Sequence, residues 1–168
     1  SAPVPYLLTI ENLASFQRQV REIPDAGVVI YTAGFPAPAL VRVLGQLDQC
    51  LPADCPFYHW GDRDIGGLRI LARVAAACPR HEVSPHLMSV PDPGSGPFSG
   101  GWSRDERRAL EQAIAKGGSV GGLAAEWVQR DLGKLEQEAL DPASPPDREQ
   151  IGGLAVHSHE AIVMDNGR

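Results

Sequence analysis

The sequence predicts an α/β fold: a parallel sheet of about four strands flanked by helices, with extra helices in the C-terminal part. Three observations predict it. Short runs of β-branched and aromatic residues are bounded by turn signals, the segments between them carry apolar residues at helical period, and the two patterns alternate along residues 4–90.

The first run, 4–10, reads Val-Pro-Tyr-Leu-Leu-Thr-Ile and has the character of a buried strand. Asn12 then caps a helix that carries Leu13, Phe16 and Val20 on one face. A second strand at 27–32 leads through Pro36-Ala37-Pro38 to a helix with Leu40, Val43, Leu44 and Leu47. The third strand spans 56–60. The third helix spans 68–78, with Leu68, Leu71, Ala72 and Ala75 on one stripe and Pro79 beyond its end. A fourth strand is predicted at 83–90. Strands separated by helices pair in parallel and are covered on both faces.

Beyond it, 91–101 holds too much glycine and proline for a regular element. Ser103 and Glu106 form a capping box that opens a helix to about Lys116. Residues 123–140 supply one or two more helices, broken near Gly133, and 141–147 read as a linker. The final stretch, 151–168, has no strong period and is expected to be a poorly ordered tail or a peripheral strand. The division is one domain over 1–140, then a linker and tail over 141–168.

A chain of 168 residues can bury a core without a disulfide or structural metal. Cys50, Cys55 and Cys78 make no C-x-x-C pair, and no apolar run is long enough to cross a bilayer, so a cytoplasmic setting away from membranes is expected. The opening Ser1-Ala2-Pro3 stands directly before a strand pattern, which suggests a missing N-terminal domain of the same protein. The formal charge of −6 argues against this piece alone gripping a polyanion. It suits a carboxylate-rich site for a hard cation.

In open α/β sheets ligands lie beyond the carboxyl ends of the strands. Glu11 follows the first strand, and Asp62 and Asp64 follow the third, leading into Gly66-Gly67. If the strand order begins 2-1-3, the three acids meet. Clustered carboxylates repel unless a cation neutralises them, and oxygen ligands point to Mg²⁺ or Mn²⁺. Gly66 and Gly67 remove side-chain bulk where a phosphate could approach the helix. Arg63 could meet a phosphate or pair with an acid, and Arg69 is a second phosphate candidate. Each residue also has a plainer reading: Asp64 as a helix cap, Asp62 in an Asx turn, Glu11 as a solvated neighbour of Asn12. His59 is either a buried histidine or a partner standing behind the acids, while His81, His86 and the His157-Ser158-His159 run lack convincing metal spacing.

Two segments carry a resemblance. Thr9-Ile10-Glu11-Asn12 and the run from His59 through Trp60-Gly61-Asp62-Arg63-Asp64-Ile65-Gly66-Gly67 to Ile70 resemble the signatures of the C-terminal TOPRIM domain family of the Wadjet plasmid-defence nuclease subunit JetD. More distantly they are similar to the type IIB topoisomerase A subunit and bacterial primases. Tyr31-Thr32-Ala33-Gly34-Phe35-Pro36 resembles the family's second strand and turn, so the resemblance covers roughly the first half of the chain. It implies a TOPRIM-like sheet, Glu11 as metal ligand or general base, and Asp62 and Asp64 as ligands of Mg²⁺ or Mn²⁺. Leu135 to Leu140 resembles the family's closing helix, with Glu136 or Glu138 near the site or simply on a solvated face.

The expected function is a metal-dependent DNA endonuclease domain of an anti-plasmid system. Its partners would be DNA and the subunits of an SMC-like ATPase complex. Tyr6, Tyr31 and Tyr58 lie in strand patterns and read as core, which favours hydrolysis by water over a tyrosine-linked intermediate. The alternatives are a docking or homodimerising module with a weak metal site, and a doubly wound phosphohydrolase. The latter typically places its aspartates after the first strand, where this chain has Glu-Asn.

Overall fold

The computed structural model describes residues 4–89, 101–130 and 133–146. Four strands, β1 (Leu7–Ile10), β2 (Val28–Tyr31), β3 (Phe57–Trp60) and β4 (Val83–Pro85), form one parallel sheet in the order β2-β1-β3-β4. The expected 2-1-3 start is therefore present. Helices α1 (Leu13–Glu22), α2 (Pro38–Cys50) and α3 (Ile65–Ala77) connect successive strands. α1 packs on β1 and β2, and α2 and α3 pack together; the right-handed rule for parallel crossovers then sets α1 on one face of this strand order and α2 and α3 on the other. Two further helices, α4 (Arg104–Lys116) and α5 (Gly118–Arg130), pack on each other and on α3.

The core follows from the strand positions. β1 and β3 are central and buried at every residue, whereas β2, on the edge, is half-buried throughout. Leu7, Leu8, Ile10, Phe57 and Trp60 are almost wholly inaccessible, and burying each such side chain contributes about 1.5–3 kcal/mol. Leu44, Leu71 and Val74 close the core from the α2–α3 face. Away from the strand ends, Asp48 lies buried against His81 Nδ1 at 2.8 Å, and His81 stacks on Phe57.

Helix starts match their sequence signals. Asn12 Oδ1 accepts from the N–H groups of Ala14 and Ser15, and Ser103 and Glu106 complete the reciprocal capping box. Two differences stand out. The last helix begins at Gly118, where Gly117 and Gly118 both take positive φ and turn the chain sharply out of α4. The segment read as a closing helix is not α-helical: Leu135 bridges antiparallel to Arg63, and Gln137–Ala139 makes a single 3₁₀ turn. Side chains at 135–138 alternate between buried and exposed, and the backbone bonds go to the end of β3 rather than along a helix.

Residues 141–146 run against the face that carries α1. Arg18 pairs with Asp141, Gln19 Nε2 donates to Ala143 O at 3.1 Å, and Tyr58 Oη donates to Pro146 O at 2.9 Å. The glycine-rich run at 91–100 and the tail at 151–168, with its His157-Ser158-His159, lie outside the described residues. Among the described residues no helix is long and apolar enough to cross a membrane.

Candidate active site at the carboxyl ends of β1 and β3

Parallel pairing of β1 with β3 sets Ile10 opposite Trp60, so the residues that follow them leave the sheet side by side. Glu11 N–H donates to Trp60 O at 3.0 Å, and Asp62 N–H reaches back to Glu11 Oε2 at 3.3 Å. A cleft of about 460 Å³ opens here, bordered by Glu11, Asn12, Asp62 and Glu138 and, on its apolar side, by Leu13 and Tyr31.

The third segment of the site comes from far along the chain. Gln137, 1% exposed, accepts from Asn12 N–H through Oε1 at 2.9 Å and donates from Nε2 to Trp60 O at 3.1 Å. Its own N–H donates to Asp62 Oδ1 at 2.7 Å. Gln137 thus ties the ends of β1 and β3 together and sets the exposed Glu136 and Glu138 on either side of itself. Asn12 Nδ2 then donates to Glu138 Oε1 at 2.7 Å. Sequence reasoning missed Gln137, because an inward glutamine between two acids has no distinguishing pattern.

At this proximity the acids act on one another. Glu11 is pushed up to about 7, first by burial and then by the charge of Asp62, with Asp64 and Glu136 adding to it. Asp62 is raised by burial and by Asp64 and Glu138, against the opposing bond from Gln137. Glu136 is raised chiefly by Asp62, with burial, Asp64 and Glu138 behind it. The charges acting on these three carboxyls are all negative. A dense set of oxygen donors whose members repel one another is the chemistry that a hard divalent cation relieves. Among the described residues, however, no three His, Cys, Asp or Glu side chains already converge on a ligating point. The acids form a neighbourhood rather than a finished cage.

Several candidates hold structural positions as well. Asp64 is the N-cap of α3, accepting from Gly67 N–H at 2.8 Å. A β-carbon at Gly67 would lie 2.1 Å from Asp62 O, so its bare α-carbon is required by the close approach of the strand end. Gly66 is exposed at the start of α3. Arg63 is 2% exposed, and the charge acting on it is that of Glu126 in α5. This buried placement sets Arg63 apart from the exposed Gly66 and Arg69. Arg69 is exposed and borders a hollow with Gln112 and Lys116, on the α4 side of α3.

His59 is fully buried in β3, and burial pushes its imidazole down to about 3. Tyr6 and Tyr58 are buried with their hydroxyls bonded to Asp25 and Pro146 respectively, whereas Tyr31 borders the cleft and packs on Phe16.

Comparison with known proteins bears on the same segments. The family model described as "Wadjet protein JetD, C-terminal" matches residues 1–145. The Wadjet protein JetD of Bacillus cereus (strain Q1) is 29% identical over 85 residues, which is 50% of this chain and 20% of that protein. The match therefore spans a small part of the relative's length.

Proposed function

Since the chain belongs to the family of C-terminal regions of the Wadjet protein JetD, we propose that it is a TOPRIM-type, divalent-metal-dependent DNA endonuclease domain of an anti-plasmid defence system. The observation that carries this reading is the gathering of Glu11, Asp62 and Asp64 at adjacent strand ends beside Glu136 and Glu138, where the charges of neighbouring acids act on Glu11, Asp62 and Glu136. Uncompensated acids at the ligand-binding edge of a parallel sheet are a poor design for stability and a good one for holding a cation.

In this reading Glu11, Asp62 and Asp64 hold Mg²⁺ or Mn²⁺, with Glu136 and Glu138 nearby. The bound ion would supply charge neutralisation at a phosphodiester and acidify a water molecule. Where Glu11 stands beside the ion rather than on it, its carboxylate is the group placed to take a proton from the attacking water. Asn12 and Gln137 hold the backbone from which these acids project. The attacking water oxygen bonds to phosphorus as the bond to one deoxyribose oxygen breaks; the proton of the water passes to Glu11, and the leaving oxygen takes a proton from solvent. Gly66 at the exposed start of α3 leaves room for a phosphate, and Arg69 offers a charge on the next turn.

The net charge of −6 makes the rest of the longer protein and an SMC-like ATPase complex the expected holders of DNA. The test uses the full-length protein with its partners and plasmid DNA: Asp62→Ala should lower Mn²⁺-dependent cleavage by about a hundredfold or more. Undiminished cleavage would sink the reading.

One observation favours a second reading. Asp64 and Gly67 both have structural reasons for their identity. A docking or homodimerising module with a weak metal site would keep both. In that case Asp62→Ala would leave cleavage unchanged while disruption of the partner contact abolished it.

A further inference from the structure

Thr9 and His59 face each other in register across β1 and β3. The Thr9 hydroxyl has one hydrogen and donates it to Tyr58 O at 3.1 Å. Thr9 Oγ1 is then an acceptor toward His59 Nδ1, 2.9 Å away, so Nδ1 carries the proton of the neutral ring. Nε2 is left as a bare lone pair in a residue that is 0% exposed, and no hydrogen-bond partner reaches it.

That lone pair does not point into apolar packing. A β-carbon built on Gly61 would lie 2.9 Å from His59 Nε2 and 2.7 Å from Glu11 Oε2, so both acceptors border the space beside the bare α-carbon of Gly61. No direct bond joins them. His59 Nε2, buried and unpartnered, costs about 1–3 kcal/mol unless a donor reaches it, whereas the half-buried Glu11 already accepts from Asp62 N–H through Oε2. A single water molecule carries a proton for each of these two acceptors.

We propose that His59 is a positioning residue for Glu11: His59 Nε2 and Glu11 Oε2 share one ordered water beside Gly61, and this bridge fixes the carboxylate at the edge of the acid group. The chain of contacts runs from Tyr58 O through Thr9 and His59 to Glu11, so the rigid centre of the sheet orients a side chain that stands in the cleft. The functional part rests on the reading of Glu11 as a metal-site acid. The bridge itself does not.

Two measurements on the full-length protein test the proposal. With ¹⁵N-labelled histidine, the His59 ring should carry its proton on Nδ1 in the metal-free protein; a proton on Nε2 overturns the bridge. Calorimetric Mn²⁺ affinity should fall about tenfold in His59→Phe and stay within about twofold in His59→Gln, whose amide oxygen reaches the place of Nε2. Gly61→Ala, which fills the shared space and leaves the ring intact, should weaken binding as His59→Phe does, and it serves if the phenylalanine variant fails to fold. Equal losses in His59→Phe and His59→Gln, or unchanged binding in Gly61→Ala, overturn the positioning role. If the unmodified protein binds no Mn²⁺, the nuclease reading fails, and the bridge then stands or falls on the ring proton alone.

Discussion

Gln137 N–H donates to Asp62 Oδ1 at 2.7 Å, so the strand-end aspartate is held by backbone that arrives 75 residues later in the chain. The same residue's side chain spans Asn12 and Trp60. Gln137 is consequently the joint between the β1 end, the β3 end and the 3₁₀ turn.

Gln137→Leu keeps the backbone bond to Asp62 and removes both side-chain bonds. Asn12 N–H loses its partner while Trp60 O keeps the bond from Glu11 N–H, and unfolding by denaturant should show a loss of about 1–3 kcal/mol. A loss below about 0.5 kcal/mol would mean that water replaces the amide freely.

Asp64 serves as a cap, and the proposed function adds a ligand role; two substitutions separate them. Asp64→Ala should cost about 1 kcal/mol of stability, while Asp64→Asn, still a good cap, should cost little. Mn²⁺ binding should weaken in both. Binding retained in the asparagine variant would leave capping as the whole role of this residue.

Gly67→Ala sets a methyl group 2.1 Å from a backbone oxygen that cannot swing aside as a side chain would. Backbone displacement at the end of β3 should cost more than about 3 kcal/mol or prevent folding. Gly66→Ala meets only the Asp64 carboxylate, at 3.0 Å, and should be tolerated far better. Circular dichroism melts of the two variants give the comparison.

The pH dependence of stability carries opposing contributions. Glu11, raised from 4.5 to about 7, contributes stability that is full below its unfolded value and is lost as pH rises through 7. His59 and His86, lowered by burial to about 3 and about 4, contribute stability present above 6.5 and lost as pH falls through those values. Between 4.5 and 6.5 the two deeply buried histidines outweigh Glu11 together with the smaller upward shifts of Asp62 and Glu136, and stability should rise with pH. Glu11→Gln should steepen that rise, gaining on the unmodified protein by about 1 kcal/mol between pH 5 and 8, a modest figure because solvent screens a half-buried carboxyl. Equal pH profiles would show that Glu11 ionises normally.

The strands, their parallel pairing and the meeting of Glu11 with Asp62 were legible in the sequence because each rests on local pattern. Apolar runs mark β1 and β3, and acids directly after them must emerge together once those strands are neighbours. The 135–140 segment was not legible, because its conformation is dictated by the end of β3 rather than by its own residues. Leu135 pairs with Arg63, and Gln137 turns inward to bonds that no local period encodes. The buried placement of Arg63 escaped for a related reason: an arginine between two aspartates looks solvent-facing until the chain beyond it is known to return.

The strand order β2-β1-β3-β4 puts the earliest strand to leave the ribosome in the interior of the sheet. β1 meets β2 within about twenty residues of synthesis, yet its other edge stays unpaired until Trp60 has been added, and an open strand edge invites pairing with other chains. The mutual repulsion of the acids falls late in this schedule. Glu11 is made long before Asp62, and Glu136 and Glu138 join them only when the stretch containing Gln137 is synthesised, so the charged edge takes shape after the sheet beneath it is already able to close.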